Sequence, residues 1–479
     1  MMRYRPFALL VVFLLHPSLS SPIHAQSDQV DEYIQIEMKK RLIPGLALVV
    51  IRDGEIVKMK GYGFANLEHE VPVNPDTVFE LASVTKQFTA AAIMALVDEG
   101  NIRVDDPIVQ YLPNSPQHWK DITVRHLLTH TAGLPNLENG FQALRKGGVR
   151  LNYTTTQLFN AAKNDPMSFA PGERWQYSDV GYFLLGMIIE KASGHTYRSF
   201  LASRFFEPLG MASTSVLDQW AVLKNRAAGY TLRNGQIVNI RRVIQVELPS
   251  HYGIFSTVRD LVKWDNALAT GKVVKQLSLE QMWTPVKLNS GGSFPYGFGW
   301  GIEERRGHRM ITHSGITGTE YTRFPEHKLT VIVLTNLGRH IGTTEVNSWG
   351  LTKGVAGRFI PKFLLGSLKE QLDLNLELTQ NLRDFLSSIA KGEDSSLIMP
   401  GLHAMLSPSG RDATARRLRE LKSFTFLTCD EIQGRVVDRL GAQVSRSCYY
   451  KMVTEAETRY YLFWLTSDNK VADFSSFTE

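Results

Sequence analysis

Residues 79–100 read FELASVTKQFTAAAIMALVDEG, and the fold turns on what Ser83 is doing there. Serine at the mouth of an apolar helix is a common N-cap, which is the ordinary reading. Lys86 follows three residues later, on the same helical face, which makes a nucleophile with its own base the second reading. A serine hydroxyl attacks only when a base takes its proton and something stabilises the oxyanion. A serine opening a helix presents its backbone N–H at the positive end of the dipole. A lysine serves as base once burial lowers its pKa, and Leu81, Ala82, Phe88, Ala90 and Ala91 supply apolar surroundings. The same Ser-x-x-Lys spacing recurs at Ser388/Lys391 and Ser467/Lys470. Ser388 lies near the C-terminal end of its helix, where the dipole opposes an oxyanion, and Ser467 falls in the turn TSDNK. Only Ser83 starts an apolar helix.

Two downstream stretches bear on the choice. PGERWQYSDVGYFLLG places Tyr177 in a turn just before a helix, and MITHSGITGTEY places His313, Ser314 and Gly315 at a strand edge where small residues allow close approach to the backbone. A tyrosine alone is usually packing and a histidine alone usually surface. In this order with Ser83 and Lys86 they form a pattern. The chain resembles the serine β-lactamase and penicillin-binding protein superfamily, in its class C β-lactamase, DD-peptidase and esterase branch, which carries Ser-x-x-Lys, Tyr-x-Asn and Lys/His-x-Gly in that order. VRHLLTHTAGLP, YSDVGYFLLGMIIEKASG, FEPLGM, GIFSTVRDLVKW and YGFGWGI extend the likeness over about residues 28–355.

The resemblance implies that Ser83 is the acylated nucleophile and that Lys86 and Tyr177 share the base and proton-relay role. It implies an oxyanion hole from the amides of Ser83 and Ile316, with Ser314 and Gly315 lining the substrate. His313 is implied to set the electrostatics near Tyr177 and a substrate carboxylate. No metal or other cofactor is called for. One position departs: Asp179 stands where the family has Asn. An ionised carboxylate donates no hydrogen bond to a substrate amide, and near Lys86 it favours the ammonium form. The expectation is a cationic Lys86, with Tyr177 carrying more of the base role.

Outward from these motifs, GLALVVIRDGEIVKMKGY (45–62) reads as two strands around an Asp53-Gly54 hairpin turn. YGFGWGIEE and LTVIVLTNL read as later strands, with helices between the two sets. Strands at both ends with a helical insertion predict an α+β fold, its antiparallel sheet assembled from both ends of residues 28–360. A change of pattern near 361–378 predicts a second, small α+β domain over 376–479: a helix, a polar interval and four β-rich runs, with a curved sheet of the NTF2-like type as the expected arrangement. The chain's length of 479 residues accords with two domains.

The N-terminus has Arg3 and Arg5, an apolar run from Phe7 to Leu15, and small residues up to Ala25. That run is too short to span a bilayer and fits a signal peptide over residues 1–25, predicting a periplasmic or secreted protein. The two cysteines, Cys429 and Cys448, flank a turn and are expected opposite one another, either disulfide-bonded or as buried thiols. A net charge of +6 with no basic cluster argues against nucleic acid as a partner. The expected partner is a small-molecule or peptide substrate: a D-Ala-D-Ala-type peptide, a D-amino-acid peptide, a small ester or a β-lactam. The alternative is a penicillin- or peptidoglycan-binding module acylated without efficient turnover.

Overall fold

The computed structural model describes residues 22–135, 152–218, 220–240, 245–338, 350–393, 397, 408–437 and 441–479. The predicted signal peptide lies almost wholly outside the described residues.

A 20-residue helix, α1 (Pro22–Arg41), leads into a hairpin of β1 (Gly45–Arg52) and β2 (Glu55–Asn66). Asp53 and Gly54 both take positive φ at its turn, as the tightest hairpin turns require. The strand β3 (Val71–Pro72) closes one end of the sheet. On its other side lie β4 (Gly301–Arg305), β5 (His308–Ser314), β6 (Glu320–Phe324) and β7 (Leu329–Thr335). The seven run in the order β4-β5-β6-β7-β1-β2-β3. The join between chain ends is the antiparallel pair β1–β7, with Leu46 opposite Thr335 and Arg52 opposite Leu329. The expected architecture is therefore the observed one.

Side chains alternate across a strand, and β1 uses both faces. Ala47, Val49 and Ile51 enter the larger core, which holds α2 (Lys86–Asp98), α3 (Val124–Leu128), α4 (Asp179–Ser193) and α5 (Val258–Ala269). Leu46, Leu48 and Val50 enter a second core with α1 and α6 (Leu351–Ala356). A sheet covered on both faces explains why this strand reads as an unbroken apolar run. Helix α2 is buried from Lys86 to Leu96. Phe88 stacks on Trp264 at 4.1 Å, and the Trp264 indole donates to Gln87.

YGFGWGIEE forms a strand only from Gly301 onward. Its first half instead folds over α2. Gly299 has φ +74, and a Cβ there would lie 2.7 Å from the Lys86 carbonyl oxygen, so only glycine admits this approach.

Beyond residue 375 come α7 (Leu376–Lys391), α8 (Pro408–Arg419) and a four-strand antiparallel meander: β8 (Leu421–Val437), β9 (Gln443–Thr454), β10 (Thr458–Leu465) and β11 (Val471–Phe477). Helix α8 falls in what the sequence presents as a polar interval. Its Arg-rich composition, with Arg416, Arg417 and Arg419 in the last turn, hides the few apolar positions. Cys429 and Cys448 face each other across β8 and β9 and are joined as a disulfide. Residues 438–440 of the expected turn lie outside the described residues. The meander continues into a small strand of the larger unit, because Ser293 pairs in parallel with Val436.

Candidate active site

Ser83 does not sit on an α-helix. It lies in a 3₁₀ turn, Ala82–Thr85, and α2 begins only at Lys86. Ala82 takes φ +47, a left-handed conformation that costs a non-glycine residue about 1 kcal/mol. This turn lifts Ser83 to a partly exposed position while its neighbours stay buried.

Lys86 is fully buried, and its ammonium touches three groups. Nζ is 2.7 Å from the Asp179 carboxylate, 2.9 Å from the His251 carbonyl and 3.4 Å from Ser83 Oγ. It also lies 4.7 Å from the centre of the Tyr177 ring, whose hydroxyl neighbours Ser83. Side chains from two distant stretches, with a backbone carbonyl from a third, thus converge on Lys86. Tyr177 and Asp179 arrive together because Ser178 caps α4, accepting from the Gly181 amide at 3.4 Å.

Burial pulls Lys86 below the usual lysine range, and Asp179 opposes part of that shift. Asp179, whose side chain is partly exposed, is held below the ordinary carboxylate range by Lys86 despite its desolvation. The two stand as an ion pair at 2.7 Å. Burial, and then the Asp179 charge, raise the Tyr177 phenol well above its usual value, which disfavours a standing phenolate there.

The end of β5 is stitched to the serine turn. Thr317 Oγ1 donates to the Glu80 carbonyl at 2.8 Å and Thr319 Oγ1 to that of Leu81 at 2.9 Å. Gly315 abuts the same turn; a Cβ there would lie 2.4 Å from the Leu81 oxygen. Its smallness therefore admits the serine turn, whereas the sequence suggested room for a substrate. Ile316, next in the chain, is the exposed residue of this loop. Among the described residues no backbone carbonyl accepts from either the Ser83 or the Ile316 amide.

His313 also departs from expectation. Strand β5 lies inside the sheet, between β4 and β6, and His313 is only 8% exposed. Nδ1 lies 2.8 Å from the Ser314 carbonyl and Nε2 lies 3.0 Å from the Tyr296 hydroxyl. Burial and the Lys86 charge push its pKa down to about 3. It is a neutral imidazole with both nitrogens engaged, and supplies no positive charge for a substrate carboxylate. Ser314 presents its carbonyl to His313, not to the cleft.

The sequence reading missed three residues. His251 gives its carbonyl to Lys86, a backbone role without a residue-type signal. His130 and Tyr296 flank Tyr177 and His313: the His130 ring lies 4.4 Å from that of Tyr177 and 4.9 Å from that of Tyr296. Both fall in stretches carrying the family likeness, THTAG and YGFGW, but nothing in their spacing assigns them a task.

A mixed fold with an antiparallel sheet, carrying serine, lysine and tyrosine together at its edge, defines the beta-lactamase and penicillin-binding protein fold class. The Beta-lactamase family model matches residues 30–348, and the chain belongs to that family of serine hydrolases. It is similar to penicillin-binding protein 4* of Bacillus subtilis (strain 168), 32% identical over 304 residues, which is 59% of this chain and 66% of that protein. Just under two thirds of the relative's length is therefore matched. Among solved structures it is similar to the octameric penicillin-binding protein homologue from Pyrococcus abyssi, with TM-score 0.60, 25% identity and coverage of 92% of this chain and 97% of the other. It is also similar to the D-amino acid amidase from Ochrobactrum anthropi SV3, with TM-score 0.58, 25% identity and coverage of 71% and 97%.

Proposed function

We propose that the protein is an exported hydrolase that cleaves esters or amides through an acyl-enzyme on Ser83. The observation that carries this reading is the approach of the buried Lys86 amine to Ser83 Oγ at 3.4 Å, with the Tyr177 ring centred 4.7 Å from that amine. Once Lys86 has given up its proton, Ser83 Oγ attacks the substrate carbonyl. The serine proton passes to Lys86, directly or across the Tyr177 hydroxyl. The Ser83 and Ile316 amides take the oxyanion, where fixed donors are worth most. Collapse of the tetrahedral adduct breaks the bond to the leaving group, which departs with the proton from Lys86. Water then attacks the acyl carbonyl by the same route, regenerating Ser83 and releasing the acid.

Lys86 is desolvated yet paired to a carboxylate, so only a fraction is free amine at neutral pH. That supports measurable but modest turnover, rising with pH. The likeness to an amidase and to penicillin-binding proteins supports D-amino-acid amides or peptides, small esters and β-lactams as the substrate range. Turnover of p-nitrophenyl acetate and labelling by a fluorescent penicillin, compared between the wild type and Ser83→Ala, test the reading. Repeated turnover abolished by Ser83→Ala supports it. Single labelling without turnover supports an acylated binding module instead. Activity unchanged in Ser83→Ala overturns both.

A further inference from the structure

The buried polar groups behind Tyr177 form one chain whose direction is fixed by its ends. The Ser178 backbone amide donates to His130 Nδ1 at 3.2 Å. An amide nitrogen has a proton and no acceptor capacity, so a neutral His130 carries its proton on Nε2. That nitrogen lies 3.2 Å from the Tyr296 hydroxyl. At the other end a carbonyl, Ser314 O, only accepts, so His313 holds its proton on Nδ1 and leaves Nε2 as an acceptor. The Tyr296 hydroxyl bridges the two, accepting from His130 and donating to His313 at 3.0 Å. The neighbouring Tyr182 hydroxyl donates to the Leu128 carbonyl at 2.8 Å. Each link has one donor and one acceptor; an added proton on His130 Nδ1 would face the Ser178 N–H, and one on His313 Nε2 would force the Tyr296 hydroxyl to turn its own proton away.

Backbone geometry points the same way. His130 holds φ +59, a left-handed conformation at a non-glycine residue, with a carbonyl that accepts from the Gln176 amide at 2.9 Å. Such a conformation persists where the surroundings over-determine it and clusters at functional sites. Here it aims the ring under Tyr177.

We propose that His130 and Tyr296 are positioning residues that hold His313 as a neutral Nδ1–H imidazole beside the cleft, so that the site selects acyl donors without a carboxylate at that subsite. This deepens the hydrolase reading and, in its selectivity half, rests on it. Among the described residues the titratable and charged groups facing His313 are Lys86 from α2, Asp179 from α4, Tyr177, His130 and Tyr296, with Tyr321 opposite on β6. The ionised Lys86–Asp179 pair adds no net charge, so His313 decides the sign of this wall.

Two measurements test the proposal. In the first, the full chain labelled with ¹⁵N-histidine is examined by long-range ¹H–¹⁵N NMR between pH 5 and 8. The expected result is that the ring signal lost in His130→Gln is an Nε2–H imidazole and the one lost in His313→Gln an Nδ1–H imidazole, neither titrating in that range. Either ring titrating near pH 6.5, or holding the opposite tautomer, overturns the proposal whatever the enzyme hydrolyses. In the second, kcat/KM is compared for p-nitrophenyl butyrate and the anionic p-nitrophenyl hemisuccinate. The wild type is expected to favour the neutral ester at least 10-fold at all pH values. Tyr296→Phe leaves His313 Nε2 without its donor, so the preference should shrink at least 5-fold below pH 6.5 and return above it. A pH-independent preference in Tyr296→Phe, with wild-type turnover intact, refutes the selectivity claim. Absent turnover of both esters by the wild type refutes it too, along with the hydrolase reading for esters, while the NMR result stands on its own.

Discussion

Asp179 is the residue at which this chain departs from its family, and its contact with Lys86 at 2.7 Å makes the departure energetic. Desolvation alone would turn a buried lysine into a neutral amine; the carboxylate opposes that. Asp179→Asn keeps the shape and removes the charge, so the Lys86 pKa falls and more free amine exists at pH 7. Acylation by a fluorescent penicillin is expected to accelerate about 10-fold, the factor of one pKa unit, and the alkaline rise in rate should move to lower pH. No change or a loss would count against this account of Lys86. The Ser83–Lys86–Tyr177 set was legible in the sequence because Ser-x-x-Lys opens an apolar helix and the order of the three motifs resembles the family's. The neutrality of His313 was not, because it depends on Tyr296 and His130, whose contacts are set by tertiary packing.

At the scale of elements, the serine turn and the end of β5 act as one piece, held by Thr317, Thr319 and the close approach of Gly315. Gly315→Ala would place a methyl 2.3 Å from Thr319 Oγ1 and 2.4 Å from the Leu81 oxygen, forcing the turn away from the β5 loop. Because a 1 Å misplacement costs about 100-fold, kcat/KM is expected to fall at least that much while the melting temperature moves little. Unchanged kinetics would mean the loop does not set the oxyanion geometry. The β1–β2 hairpin was readable from its Asp-Gly turn and β-rich flanks. The first half of YGFGWGIEE was misread because alternating glycines imitate a strand while serving close packing on α2. Helix α8 was missed because its polar surface outweighs its apolar contacts.

For the molecule as a whole, the C-terminal meander is tied to the catalytic unit near its site. Val437 is buried among Trp175, Phe294 and Tyr296, with Tyr177 against the same cluster. Elsewhere Arg305 pairs with Glu479 at 3.3 Å, both almost fully buried, with the guanidinium 4.1 Å from the centre of the Phe477 ring. Glu479→Gln leaves a buried arginine unpaired and is expected to destabilise the chain by about 3 kcal/mol, read by urea denaturation; a loss below about 1 kcal/mol would mean water reaches the pair. Stability should also depend on pH. His313 and His251, pushed down to about 3 and about 4 in the folded chain, and His130, held well below its ordinary range, bind protons in the unfolded chain first. Their stabilising contribution is complete above about pH 6.5 and is lost as pH falls toward the folded values, at about 1.4 kcal/mol per pH unit for each group titrating. Melting temperature should therefore drop steeply between pH 6.5 and 4, and less steeply in His313→Asn. An identical slope in that variant would show that His313 is not locked.

The most direct measurement is peptide mapping of the chain after brief exposure to the uncharged activated ester p-nitrophenyl butyrate and an acid quench. The account predicts one added acyl mass, on the tryptic peptide that carries Ser83, absent from Ser83→Ala and formed faster in Asp179→Asn. Acylation at any other residue, or none at Ser83 with any ester, amide or β-lactam offered, would contradict it.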